Sequence, residues 1–269
     1  MKHFVLITGA SEGLGKSFAI ESAKMGMDLF LVALPDTGLP SLCSLINSNF
    51  GVFVDYLELD LIDDQSCTQL LDHVKSKSYP ISFLINNAGV GGNYLFTNEN
   101  FITFNRMIQL NIKATAMITH GLLDVLQAQE TAFIINVSSI IAHFEGAYKQ
   151  VYGATKSFVY YFSKSLQHEL ENTNVHVSVL SPGGINSNIS HFRKCQQLNT
   201  ISKLSILDPE FVASYAIQKC LQKKNQIIPG RLMRFYFLFS KILPDFVKYR
   251  LVKNTNVKIF KAESKMQRA

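Results

Sequence analysis

The chain has 269 residues, of which 47 % are apolar and 17 % charged. This length can bury a large core in one or two domains, and the composition excludes disordered, collagen-like and coiled-coil classes. The formal charge of +6 is unevenly placed: residues 231–269 hold ten basic and two acidic residues, whereas residues 1–230 hold 16 basic and 18 acidic, so no nucleic-acid-binding core is expected.

In chain order, Phe4–Ile7 is the first apolar run. It follows Met1-Lys2-His3 and stops at Thr8-Gly9, too short for a signal core and suited to a buried strand. Similar runs follow at Leu29–Ala33, Val52–Leu57, Ile81–Ile85, Phe133–Val137 and Val175–Leu180, with a weaker one at Gln226–Ile228. They are apolar nearly throughout, as parallel strands covered on both faces are. Helical patterns lie between them at 14–25, 41–48, 64–76, 102–127, 153–172 and 209–222. This alternation predicts a doubly wound α/β domain over 1–230, with a mainly parallel sheet of about seven strands and helices on both faces. The ligand is expected at the carboxyl ends of the strands.

No run approaches the ~20 apolar residues of a membrane span. Cys43, Cys67, Cys195 and Cys220 are scattered without CxxC spacing, so neither a metal site nor a disulfide scaffold is expected. A reducing cytoplasm is the expected setting.

Several motifs fall at expected strand ends. Thr8-Gly9-Ala10-Ser11-Glu12-Gly13-Leu14-Gly15 joins the first strand to a helix. Such glycines let a pyrophosphate approach the backbone and meet the helix amides. Asp60 follows the third strand, where a plain helix N-cap is the other reading. Asn86-Asn87-Ala88-Gly89 ends the fourth, and Asn111 interrupts an apolar helix. Tyr152 and Lys156 share a helix face, and Ser139 stands thirteen positions before Tyr152. Ser138 is the neighbouring candidate. Ser181-Pro182-Gly183 follows the sixth strand.

Over residues 3–228 this set resembles the classical short-chain dehydrogenase/reductase family. The resemblance implies a Rossmann-like fold and nicotinamide-dependent oxidoreduction. It makes Ser139, Tyr152, Lys156 and Asn111 the catalytic candidates, with Tyr152 as general acid or base. Lys156 would favour the phenolate and bond the nicotinamide ribose, Ser139 would hold the substrate oxygen, and Asn111 would bend its helix and hold a water near the lysine. The cofactor candidates are Gly9, Ser11, Gly13, Leu14 and Gly15 in the turn, with Asp60 accepting from the adenine amino group. Asn87, Ala88 and Gly89 would meet the adenosine ribose, and Pro182, Gly183, Ile185 and Ser187 the nicotinamide. The resemblance also implies a homodimer or homotetramer. A cofactor-binding sensor of the same fold with little turnover is the competing reading, and the intact Ser139, Tyr152 and Lys156 argue against it.

Neither the glycine turn nor the end of strand two has the Lys or Arg that would welcome a 2′-phosphate. Glu12 and Asp36 would repel one, so NAD(H) is favoured over NADP(H), with Asp36 reaching the ribose hydroxyls. The family resemblance places a substrate lid at 185–207, which is apolar in this chain. The C-terminal extension resembles those of ketoacyl or long-chain carbonyl reductases, which makes a ketoacyl or lipid-like carbonyl the leading substrate class.

Residues 231–253 form a basic amphipathic segment that Pro244 divides. Arg231, Arg234, Lys241 and Lys248 share one arc; Leu232, Phe235, Phe239, Ile242, Leu243 and Phe246 share another. Three readings fit. The apolar arc packs on the domain, which is preferred; it lies on an anionic membrane surface; or it walls an acyl-chain pocket.

Overall fold

The computed structural model describes residues 3–186, 206–244 and 246–247. The strands are β1 (Phe4–Thr8), β2 (Asp28–Ala33), β3 (Val54–Glu58), β4 (Ile81–Asn86), β5 (Ala132–Val137), β6 (Val175–Leu180), β7 (Gly184–Ile185), β8 (Ile206–Leu207) and β9 (Gln226–Ile227). The helices are α1 (Gly13–Lys24), α2 (Leu39–Phe50), α3 (Asp64–Ser76), α4 (Phe101–Ile108), α5 (Thr115–Gln127), α6 (Gln150–Glu169), α7 (Pro209–Leu221) and α8 (Arg231–Ile242).

Seven strands pair in the order β3-β2-β1-β4-β5-β6-β9, all parallel. The chain winds outward from β1 in one direction, then returns and winds outward from β4 in the other. A crevice opens at that reversal, beyond the carboxyl ends of β1 and β4. The short ribbon β7–β8 stands apart from the sheet.

Strand periodicity explains why the strands are apolar on both sides. Val5 and Ile7 enter one core with Phe18, Leu39 and Phe83. Phe4 and Leu6 enter the other with Leu70, Ile118, Leu122 and Leu166. Each core is closed by helices, so neither sheet face reaches water.

Helix starts follow local polar chemistry. The Asp63 side chain caps α3 by accepting from Ser66 N at 3.0 Å. Asn100 and Asp208 cap α4 and α7 in the same way. Asp60 is therefore not the cap of α3.

The structure departs from the periodicity in several places. The expected helix over 102–127 is broken by a π-helical segment, Gln109–Ala114, that carries Asn111. Helix α6 begins three residues earlier than expected, so Tyr152 lies inside its first turn. A 3-10 turn at Ile140–His143 and the β7–β8 ribbon were not expected, being too short to leave a periodic trace.

Helix α8 ends at Ile242, and Leu243 before Pro244 is extended. The packing expected for its apolar arc is not what is found. Only Met233 and Ser240 are buried, and Phe237 meets the His143 ring at 4.8 Å. Leu238 is 61 % exposed and Ile242 81 %. No helix among the described residues is long and apolar enough to cross a membrane. Cys43, Cys67 and Cys220 are buried free thiols, and Cys195 lies outside the described residues.

Removing the α3 cap in Asp63→Ala is expected to cost about 1 kcal/mol. Thermal unfolding followed by circular dichroism should show a Tm lower by roughly 2–4 °C.

Candidate active site

Strand register builds the site first. Ile7 pairs with Ile85, Asn86 with Asn136, and Val137 with Leu180, so β1, β4, β5 and β6 end at one edge. Their following loops are therefore neighbours.

The glycine turn is wedged between α1 and the loop after β4. Gly9 and Gly13 take positive φ of 66° and 53°. A Cβ at Gly15 would lie 1.9 Å from the Gly9 carbonyl oxygen, and one at Gly9 would lie 2.9 Å from Ala88 Cα. The Asn87 amide donates to the carbonyls of Thr8 and Gly9, both at 3.0 Å. Thr8 Oγ1 in turn accepts from the backbone N–H groups of Asn87 (3.1 Å) and Ala88 (3.0 Å). No side chain caps the start of α1, which leaves its amides for an anion.

A cavity of about 330 Å³ lies over this turn. Gly9, Ser11, Gly13, Leu14, Gly15, Asp60, Asn87, Ala88 and Gly89 all line it. Asp60 accepts from Ile62 N at 3.1 Å while facing the cavity. Asp36 is not brought there: it sits exposed in the β2–α2 turn at φ 61°, and Leu34 and Thr37 line the cavity in its place. Pro182, Gly183 and Ile185 follow β6 at the same sheet edge but lie outside this lining. The Pro182 carbonyl accepts from Ile140 N at 2.9 Å, tying that loop to the turn after Ser139. Ser187 and most of the expected lid lie outside the described residues.

At the Gly89 end of the cavity the four catalytic candidates converge. Ser138 donates to the Lys156 carbonyl at 2.7 Å and is buried, so its hydroxyl is committed to structure. Ser139 instead hydrogen-bonds the Tyr152 phenol. The Lys156 ammonium donates to the Val137 carbonyl at 2.9 Å and lies 6.0 Å from the Tyr152 ring centre. Asn111 accepts from Val90 N at 2.9 Å and donates to Val90 O at 2.9 Å and Thr155 Oγ1 at 3.0 Å. A Cβ at Gly89 would stand 3.0 Å from Asn111 Oδ1 and 3.2 Å from Lys156 Nζ. That closeness makes glycine the fitting residue here.

Burial sets the electrostatics. It pushes Lys156 down to about 8. It pushes the Tyr152 phenol up, against the lowering effect of the Ser139 hydrogen bond. At the phenol, Ser139 supplies the influence that opposes burial.

Sequence reasoning missed several neighbours. The Tyr152 ring lies against Gly91, where a Cβ would come within 2.7 Å, and Lys149 Nζ stands 5.0 Å over that ring. The glycine pair Gly91-Gly92 was the available signal. Arg106 lines the cavity from α4. Asn86 donates to Asn136 Oδ1 (2.8 Å) and Thr119 Oγ1 (2.9 Å), and Asn136 donates to Ser163 Oγ at 3.0 Å. These buried amides tie β4 and β5 to α5 and α6.

Residues 3–197 match the family model described as short chain dehydrogenase. The chain therefore belongs to the short-chain dehydrogenase family, oxidoreductases acting on CH–OH and C=O groups with nicotinamide cofactors. It is 29 % identical to human 17-beta-hydroxysteroid dehydrogenase type 3 over 198 residues, 71 % of this chain and 62 % of that protein. It is 27 % identical to the 3-oxoacyl-(acyl-carrier-protein) reductase of Aquifex aeolicus over 186 residues, 69 % of this chain and 75 % of that one. The structure of a short-chain dehydrogenase from Sphingobium yanoikuyae in complex with NADPH is similar, with a TM-score of 0.78 at 26 % identity over 88 % of this chain and 91 % of that one.

Gly15→Ala is expected to abolish dinucleotide binding, because its Cβ has no room beside Gly9; titration of cofactor fluorescence checks this. Lys156→Met removes a buried charge and is expected to raise the Tm at pH 7 while cutting turnover. In the parent, the folded state gives up this proton near pH 8, whereas an exposed lysine holds it to 10.5. The burial cost is thus full below about pH 8 and fades towards 10.5. The Tm gap between variant and parent should narrow over that range in parallel melts.

Proposed function

We propose that the protein reduces the carbonyl of an apolar substrate, or oxidises the matching secondary alcohol, with Tyr152 as proton donor or acceptor. The observation that carries this reading is the convergence of Ser139, Tyr152, Lys156 and Asn111 at the Gly89 end of the glycine-lined cavity. The crowded cradle of Gly9 and Gly15, the uncapped start of α1 and the cavity-facing Asp60 fit a nicotinamide dinucleotide. When bound, that cofactor supplies or accepts the hydride.

The chain's own residues do the rest. Ser139 hydrogen-bonds the phenol and is placed to hold the substrate oxygen beside it. Burial keeps the Tyr152 phenol protonated, the form that its acid role needs. Lys156 carries most of its charge at pH 7 and favours the phenolate once the proton has left. Asn111 positions: it clamps Val90 and Thr155 and so holds Gly89 against the lysine.

NAD(H) is preferred over NADP(H). Glu12 lines the cavity, and the β2 turn contributes Leu34 and Thr37 rather than a cation. The substrate is ketoacyl- or lipid-like. Supporting this are relatives named for hydroxysteroid and 3-oxoacyl chemistry. Self-association is supported by the exposed Phe101 and Ile102 on α4 and Phe158 and Tyr161 on α6.

Tyr152→Phe is expected to lower carbonyl reduction by about 10²- to 10⁴-fold with cofactor affinity retained. The assay screens ketones, 3-ketoacyl thioesters and hydroxysteroids by cofactor fluorescence. Undiminished turnover in the variant sinks the assignment. In parallel titrations NADH should bind more tightly than NADPH; the reverse order sinks the cofactor preference.

A further inference from the structure

We propose that α8 docks the protein onto an anionic lipid bilayer. At about 100° per residue, Phe235, Leu238, Phe239 and Ile242 form one arc of α8, and all four are exposed. Phe246, beyond Pro244, is 71 % exposed. The Phe235 and Phe239 rings meet at 4.2 Å, so the arc is a contiguous apolar strip. Met233 and Ser240, on the other side of the helix, are buried. The Arg234 side chain donates to the Ile228 carbonyl at 3.0 Å and to Tyr215 OH at 2.8 Å. Helix α8 is thus anchored by one side while it presents its apolar strip to solvent.

Cations border that strip along one edge, and Arg231 begins it. Arg231, Arg234 and Lys241 are exposed on α8. Beside it a cavity of about 320 Å³ opens between α7, β9 and α8, lined in part by Lys219, Lys224, Arg234, Tyr215 and Leu238. Leu238 belongs to both the strip and the cavity wall, so the cationic hollow and the apolar surface are continuous. Phosphate headgroups at the cations and acyl chains at the aromatics match this arrangement.

Charge selects among the occupants. A second copy seated face to face would set two tails of ten basic and two acidic residues against each other. Residues 248–269 carry seven basic residues and one acidic, so folding them back over the strip would place like charge on like charge. An anionic bilayer satisfies both the apolar strip and the excess cations. This docking goes beyond the oxidoreductase reading and stands without it.

The full chain is tested by co-sedimentation with vesicles of phosphatidylcholine alone and of phosphatidylcholine mixed with phosphatidylglycerol. Binding is expected to the mixed vesicles only, and to weaken as salt is raised. The double variant Phe239→Glu, Ile242→Glu alters two exposed side chains, so it should fold and keep the parent's cofactor affinity while its vesicle binding falls about tenfold or more. Lys219→Glu with Lys224→Glu should weaken binding in the same assay. The proposal is overturned if the parent does not sediment with the mixed vesicles, or if the Phe239/Ile242 variant sediments as well as the parent. It is also overturned if analytical ultracentrifugation shows a parent dimer that this variant dissolves, which would seat a second copy on the strip.

Discussion

The Lys156 ammonium is held inside the protein by the Val137 carbonyl, and much of the surrounding architecture follows from keeping it there. A buried cation must be hydrogen-bonded, because an uncompensated one costs several kcal/mol. The donor can reach that carbonyl only if α6 lies close over the end of β5. Ser138 secures this by bonding the backbone carbonyl of Lys156 itself. The ammonium also needs the loop after β4 to come within reach, and the missing side chain at Gly89 gives it room. Asn111 then holds the next residue of that loop, Val90, by both its N–H and its carbonyl.

This constraint accounts for the π segment. A regular helix from α4 to α5 would present one face at a fixed pitch. Asn111 must meet Val90 and Thr155 together, on two other elements, and a local widening of the turn supplies the extra freedom. The lowered proton affinity of Lys156 and the raised one of Tyr152 have the same origin, since each is taken from water by this packing. The neighbourhood that positions these candidate residues also shifts their proton affinities.

What was legible from the residues divides along physical lines. Strands β1, β2, β4, β5 and β6 were readable because two covered faces demand unbroken apolar runs, and Ser139, Tyr152 and Lys156 because a one-helix spacing and a strand end are local facts. The two serines are engaged differently: Ser138 donates to the Lys156 carbonyl, and Ser139 accepts from Ile141 N at the turn beside Tyr152. The irregularity at Asn111 was implied by the family resemblance and not by the periodicity, since the partners of its side chain sit 21 and 44 residues away along the chain. Asp36 was misplaced for a related reason. A left-handed residue redirects the turn, and charge near a strand end says nothing about which way the side chain leaves it.

The amphipathic arc of α8 shows a different limit. A helix that packs its apolar face and one that presents it to an apolar partner carry the same pattern of residues. The difference lies in what fills the space beside the domain. Here the anchoring side is made of Met233, Ser240, Phe237 and Arg234, a mixed set that no hydrophobic period would single out. Phe237 rests on His143, in the 3-10 turn that Ser139 opens. Burial and the neighbouring Lys241 push that imidazole down to about 4, so it stays neutral and serves as an apolar platform at neutral pH. The basic appendage and the polar centre are therefore one ring contact apart. Helix α8 touches α6 as well, where Lys241 stands 5.3 Å over the Tyr160 ring, so its anchoring side rests on both elements that carry the candidate residues Ser139 and Tyr152.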